Sequence, residues 1–327
     1  MFEQKALMFL YCVSPVHMGA GQALGVVDNP IQRERHTGHP LFAGSGIKGA
    51  LRDQFLAAQL EANGNDRDAA KRLTNQIFGP EAEASDHAGA VAFSDAQVVA
   101  FPVRSLRESF VYATCPTALA RLKRAAELAG LAVGWSVPAP SDDDVCVAHA
   151  NSGLTVKAKL DGREVDTIIL ESFQFTVIPE SSAKEQLGKV ASWLAEQAIP
   201  ADQSYAHFRS KLGKHLVVLS DTRFDYFVNN ATTVEPHVRI SDESGTADDG
   251  GLFYTENVPP EAIFHSLVMT SRQRVKRGEG SDKESSTKPK NAKEILALLR
   301  NALHEKVVQI GGDATSGRGL VVARIVE

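Results

Sequence analysis

Seven side chains able to move protons, bind cations or hold phosphate fall between residues 17 and 39: His17, Asp28, Arg33, Glu34, Arg35, His36 and His39. Asp28, framed by Val26, Val27 and Pro30, admits three roles: metal ligand or general acid/base, an Asx cap for the turn at Asn29-Pro30, or simple solvation. His17 can give or take a proton near neutral pH, or serve as a structural imidazole. The HExxH spacing of a zinc site is absent. A divalent ion here would therefore be an oxygen-ligated Mg²⁺ leaning on substrate phosphates. A second group lies at Gly311 to Leu320, GGDATSGRGL, where four glycines and Arg318 share one turn. Glycines let backbone approach a ligand, and successive N–H groups can form a nest for phosphate oxygens. A plain glycine-rich hairpin turn fits the same composition. No GK[ST] follows, which excludes a Walker loop.

These groups need elements to position them. The first set rides on a connector of roughly thirty residues, longer than a compact domain normally requires. It joins a strand-like run, Ala6 to Val13, to an amphipathic helix. Val16, Leu24, Val26, Val27, Ile31, Leu41 and Phe42 give the connector apolar anchors, so it reads as folded loop. Ser45 is a candidate N-cap for the helix, which runs to about Asn63 with Ile47, Leu51, Phe55 and Ala58 on one stripe. Lys48 and Arg52, four apart on the flank, are either a phosphate-facing pair or a solvated edge.

Further on, Arg67 to Phe78 reads as helix stopped by Gly79-Pro80, Ala90 to Phe93 and Val98 to Val103 as strands, and Pro116 to Leu131 as helix. Short strands at Val145 to Ala148 and Thr155 to Leu160 precede a longer one, Thr167 to Ile178. Residues 179–258 read as an insertion. It holds helices at Ala183 to Gln197 and Gln203 to Leu212, a strand at Leu216 to Ser220, and a segment Thr222 to Phe227. A hairpin follows, with arms Thr233 to Arg239 and Leu252 to Glu256 about a polar turn, Asp242 to Gly251; it either protrudes or lies on a sheet edge. After a core strand, Ile263 to Met269, the basic stretch Arg272 to Lys293 predicts a mobile loop. A helix to Lys306 and strands Val307 to Ile310 and Leu320 to Val326 complete an α+β fold of ferredoxin-like type with large insertions.

The chain has 327 residues, 43% of them hydrophobic, enough for a sizeable core. No apolar run spans a bilayer and no leader pattern opens the chain, so the expected location is the cytoplasm. Cys12, Cys115 and Cys146 are too few and too scattered for a disulfide framework or zinc site. A net charge of -5 argues against gripping nucleic acid by overall field, so any such role needs local patches.

The stretch SPVHMGAGQALGVVDNPIQRERHTGHPLFAGSGIKGALRDQF, with FSDAQVVAFPVRS, YATCPTALARL, LFYTENVPP and the terminal QIGGDATSGRGL, closely resembles the RAMP superfamily. In particular it is similar to the repeating backbone subunits of type III-B CRISPR (Cmr) effectors. The resemblance implies a single RAMP domain: a modified RRM-type palm over about 1–178 and 259–327, an inserted fingers region, and a thumb hairpin at 233–256. It implies copies stacked along CRISPR RNA beside other Cmr subunits, away from membranes, with metal-dependent cleavage of single-stranded target RNA at regular intervals. Asp28 would be the cleavage acid and ligand of Mg²⁺ or another divalent ion, with His17 and Glu256 contributing. Ser45, Lys48, Arg52, Gly311, Gly312, Ser316 and Arg318 would hold the guide. Relatives often carry an acid and a tyrosine just before the proline pair, here Pro259-Pro260; this chain has Glu256 and Asn257. Two other readings stay open: a non-catalytic guide-binding scaffold, and a metal-independent nuclease that processes CRISPR RNA through histidine chemistry.

Overall fold

The chain opens on β1 (Gln4–Cys12), in which every residue from Ala6 to Cys12 is buried. An apolar run without alternation marks a strand covered on both faces. Ala6, Met8, Leu10 and Cys12 enter one core, while Leu7, Phe9 and Tyr11 enter another on the opposite side. The structure, a computed structural model, describes residues 2–21, 25–80, 87–149, 152–160, 162–179, 181–274 and 289–327.

After the long connector, β2 (Leu41–Phe42) leads into α1 (Gly44–Ala62), and α2 (Arg67–Phe78) folds back against it. Next come β3 (Val91–Phe93), β4 (Ala96–Arg104), β5 (Phe110–Thr114) and α3 (Pro116–Leu128). A small separate sheet follows, made of β6 (Val145–Cys146), β7 (Val156–Leu160), β8 (Arg163–Leu170) and β9 (Phe173–Val177) in the order β6-β9-β8-β7. The chain then runs through α4 (Ser181–Gln197), a 3-10 turn at Gln203–Tyr205, α5 (Ala206–His215), β10 (Leu216–Val218) and α6 (Asp221–Asn230). A hairpin of β11 (Thr233–Ile240) and β12 (Ala247–Asn257) precedes β13 (Ile263–Thr270), α7 (Ala292–Leu303), β14 (Lys306–Gln309) and β15 (Leu320–Val326).

The main sheet has the order β10-β5-β4-β13-β1-β15-β14, with β2 added to β4 and β3 to β13. Its pairings are antiparallel except for β10 against β5. Helices cover both faces: α1 and α7 supply Ile47, Leu51, Phe55, Ile295 and Leu299 to one core, and α3, α4 and α5 supply Leu119, Leu122, Leu187, Leu194 and Leu212 to the other. The molecule is thus a mixed α+β protein. Residues 179–258, read as an insertion, contribute β10 to the main sheet and α4 and α5 to its second layer.

Two local expectations change, and a segment without an assigned structure becomes helix. Ser45 does not cap α1, because the helix already begins at Gly44; the Gly44 amide donates instead to Asp95 Oδ1 at 2.7 Å, so the cap comes from the β3–β4 turn. The run from Thr167 to Ile178 is two strands, broken where Glu171 takes a φ of 49°. Thr222 to Phe227 lies in α6, capped by the Ser220 side chain, and its Phe224 and Phe227 serve the core at helical spacing. Leu24 and most of the basic stretch after Arg272 lie outside the described residues. Among the described residues no helix is long and apolar enough to cross a membrane.

Removing the real cap should show. Asp95→Ala is expected to cost about 1 kcal/mol in urea unfolding, whereas Ser45→Ala stays within about 0.5 kcal/mol of wild type.

Candidate functional site

The connector is folded by short backbone bridges. Val16 pairs with Val258, Gly19 with Ile31, Asn29 with Thr255 and Arg33 with Pro40, so the loop is laid against its own return and against the end of β12. Its fastening point is Arg33. One guanidinium nitrogen donates to Gly38 O at 2.8 Å, Val228 O at 3.0 Å and Asn229 Oδ1 at 2.9 Å, and the other donates to Glu256 Oε1 at 2.5 Å. Glu256 is buried, and its carboxylate also accepts from Thr232 Oγ1 at 2.8 Å and Ile31 N at 3.1 Å. Glu256, grouped with the catalytic residues by resemblance, thus has both oxygens committed behind the surface. Its geometry is that of an anchor. The salt bridge joins the loop, α6 and the root of the hairpin.

Asp28 stands in front of this anchor. It is exposed, and its Oδ2 accepts the backbone N–H of Tyr254 at 2.8 Å, while its other oxygen has no partner among the described residues. The Asx-turn reading gives way to a bond across to β12. Asn29 N donates to Tyr254 O at 3.0 Å and Glu256 N to Asn29 O at 3.0 Å, which fixes the direction of the aspartate.

His17 approaches the same strand two residues further on. Its Nδ1 lies 2.7 Å from Glu256 O. A carbonyl oxygen can only accept, so Nδ1 carries the proton and Nε2 presents the lone pair in the neutral ring. Anchored at Tyr254 and Glu256, the carboxylate and the imidazole are attached about 7 Å apart along the strand. The backbone of His17 meets the glycine-rich turn: Gly312 N donates to His17 O at 2.8 Å. Gly311, at φ 86°, is packed so close to that carbonyl that a Cβ would collide with it.

The turn itself is not an open nest. The N–H groups of Gly312, Ser316, Gly317, Arg318 and Gly319 all donate to carbonyls of the protein. Arg318 forms an ion pair with Glu235 on β11, bracing the hairpin, and so is not a bare cation. Ser316 and Gly312 are exposed.

On α1 the predicted pair divides. Arg52 donates to Gly79 O at 2.6 Å and Asn75 Oδ1 at 2.5 Å, closing the C-terminal end of α2. Lys48 is half-buried, and burial followed by the like charge of Arg52 holds its ammonium below its usual range. Ser45 is exposed at the start of the helix. The opposite edge of α1 faces the glycine turn across a cleft of about 550 Å³, with Gly46, Ala50 and Gly311 among its walls.

The hairpin protrudes. Its two strands form a sheet of their own, with a register shift between Val238 and Ile240, and β12 begins at Ala247, well inside the stretch read as a turn. Val234, Val238, Ile240, Leu252 and Phe253 are exposed along it, and the ring of His237 stacks on Phe253 at 5.1 Å. Asn257 is buried, so the position where relatives often carry tyrosine does not face the site. Tyr254, half-buried beside Asp28, was not singled out from the sequence. Its signal was alternation: it lies two residues before Glu256 on the same face of a strand. Glu235 carried no local signal, because its partner is far away in the chain.

The chain belongs to the RAMP superfamily, whose profile matches residues 9–322. Within that superfamily it is similar along its whole length to Cmr4 proteins. It is 32% identical over 326 residues to the CRISPR system Cmr endoribonuclease Cmr4 of Pyrococcus furiosus, covering 98% of this chain and 95% of that one. The crystal structure of oligomeric Cmr4 from Pyrococcus furiosus superposes with a TM-score of 0.66 at 27% identity, covering 99% of each chain. A chain of the type III-B Cmr-beta complex bound to cognate target RNA shares the fold, with a TM-score of 0.63 at 19% identity over 99% of this chain and 98% of that one.

Substitutions at three positions separate anchor from brace. Arg33→Ala is expected to cost about 3 kcal/mol in urea unfolding, since it strands a buried carboxylate. Arg318→Glu or Glu235→Arg alone should change stability by less than about 1 kcal/mol but speed hydrogen exchange of the β11–β12 amides, and the double swap should restore protection.

Proposed function

We propose that this chain is a repeating backbone subunit of a type III-B CRISPR effector, which lines up with further copies along CRISPR RNA and cleaves complementary target RNA at regular intervals. The observation that carries the reading is Asp28: an exposed carboxylate, clamped by the Tyr254 amide, at the root of a protruding hairpin with bare apolar and aromatic side chains. On this reading the main sheet with α1 and α7 belongs to the RRM-type palm, and β11–β12 is the thumb. The similarity to a protein named an endoribonuclease supports the activity.

The thumb, pressed between stacked bases, displaces a nucleotide and turns its 2′-OH toward the adjacent phosphorus. His17 Nε2, the unprotonated nitrogen, accepts the 2′-OH proton as the 2′-oxygen attacks. The bond from phosphorus to the 5′-oxygen breaks, leaving a 2′,3′-cyclic phosphate and a 5′-hydroxyl once that oxygen takes up a proton from water, to which His17 returns its own. Among the described residues no cluster of three His, Cys, Asp or Glu side chains is placed to cage a metal ion. One carboxylate oxygen left open at Asp28 does fit Mg²⁺, which commonly binds through one or two carboxylates and the phosphates of its substrate. Such an ion would supply charge stabilisation at the phosphate. Asp28 directs its negative charge outward, and Glu256 holds the loop and the His17 ring in place through Arg33 and its own carbonyl. The guide contacts implied by the resemblance divide between two edges of α1, the glycine turn on one and Ser45 and Lys48 on the other, and would be to phosphates, not bases.

A scaffold reading draws on one observation, that Glu256 is consumed by Arg33 and leaves Asp28 as the open carboxylate. Reconstituted complexes with labelled complementary RNA separate the two. Wild type is expected to yield evenly spaced products that vanish in EDTA, and Asp28→Ala to cut at least about 100-fold more slowly with guide binding unchanged. Unaltered cleavage by the variant would remove Asp28 from the mechanism. Cutting of repeat RNA by the isolated subunit in EDTA would instead mark a processing nuclease.

A further inference from the structure

Where α3 lies over β4 and β13, a cleft of about 320 Å³ opens between Arg121, Arg124 and Leu128 on the helix and Gln97 and His265 on the strands. It is on the side of the sheet opposite α1. His265 is 3% exposed, and neither of its ring nitrogens has a partner. Burial, reinforced by Arg121 and Arg124, pushes its pKa down to about 4. The imidazole is therefore neutral, offering one N–H donor and one lone pair, and leaving both unmet inside the protein is costly.

The other groups around the cleft are mostly engaged. Asp95 accepts from Gly44 N through Oδ1. Arg121 donates to Glu34 Oε2 at 2.8 Å and lies 3.0 Å from His36 Nε2. Gln97 donates to Glu34 Oε1 at 2.7 Å. Burial alone would raise the Glu34 carboxyl, but the bonds from Thr37, Gln97 and Arg121 outweigh it and hold the group ionised. Arg124 differs: it is exposed and makes no ion pair or hydrogen bond among the described residues. Ala125, Leu128 and Leu267 give the cleft an apolar wall.

We propose that this cleft is a nucleotide-binding site, with a planar heterocycle against His265 and the apolar wall and a phosphate on Arg124. A neutral imidazole donates at one nitrogen and accepts at the other, and a nucleobase edge carries both kinds of group, so it can pair with whichever nitrogen it reaches. The volume falls at the small end of ligand pockets, and a free guanidinium at the opening suits a phosphate. The ligand is either a free nucleotide or the phosphorylated end of an RNA strand. The site does not depend on the cleavage reading.

The test uses the full chain, titrated calorimetrically with adenosine 5′-monophosphate, adenosine and inorganic phosphate, with the His265 ring signals followed by NMR. Saturable binding of the monophosphate that shifts those signals is expected, weakened about tenfold in Arg124→Gln, with the thermal melt of the variant unchanged. Displacement by a short 5′-phosphorylated RNA assigns the site to an RNA end, and lack of displacement assigns it to a free nucleotide. No saturable binding, equal affinity in Arg124→Gln, equal binding of phosphate alone, or unmoved His265 signals would overturn the proposal, the last leaving ordered water as the partner of His265.

Discussion

The Arg33–Glu256 ion pair is the constraint on which the rest of the site depends. Two charges withdrawn from water cost several kcal/mol apiece, and the cost is offset only where geometry and further hydrogen bonds are good. Here they are: the guanidinium meets three further acceptors, and the carboxylate two further donors. Because the partners come from the connector, α6 and β12, the pair turns a long loop and a protruding hairpin into one unit. Asp28 and His17 are then attached two residues apart on a strand whose own position is set from behind.

A second consequence concerns charge. A chain of net charge -5 does not attract a polyanion through its overall field. Several of its cations are already spent internally, Arg33 on Glu256, Arg318 on Glu235 and Arg52 on the end of α2. These side chains shape surfaces. Close approach is supplied by small residues: Gly46, Ala50 and Gly311 wall the cleft between α1 and the glycine turn, where any larger side chain at Gly311 would strike the backbone of His17.

Much of the architecture was legible in the sequence for physical reasons. The apolar run of β1 marked a strand, Gly79-Pro80 stopped α2 where it ends, and the alternation around Thr233 and Leu252 marked a hairpin. The length and apolar anchors of the connector identified it as folded. Ser45 was misread as the cap of α1 because a serine ahead of an amphipathic stripe is the local signal for one, while the group that caps the helix sits on a distant turn. The single strand read from Thr167 to Ile178 failed at Glu171, where a non-glycine residue takes a positive φ that composition does not mark.

By itself, then, the sequence determined which residue types were present at chemically competent spacing, most of the helices and strands, and that the connector bearing Asp28 would fold. Tertiary structure decided which of those side chains remain available. Glu256, Arg318 and Arg52 were all candidates by type, and all three are bound to partners between 23 and 223 residues away. Asp28 keeps an open oxygen only because its other one is held by Tyr254, 226 residues further along the chain. Local sequence encodes periodicity and turn chemistry over a few residues; the competition between a charge's protein partners and its prospective ligands is settled by contacts that only the folded chain creates.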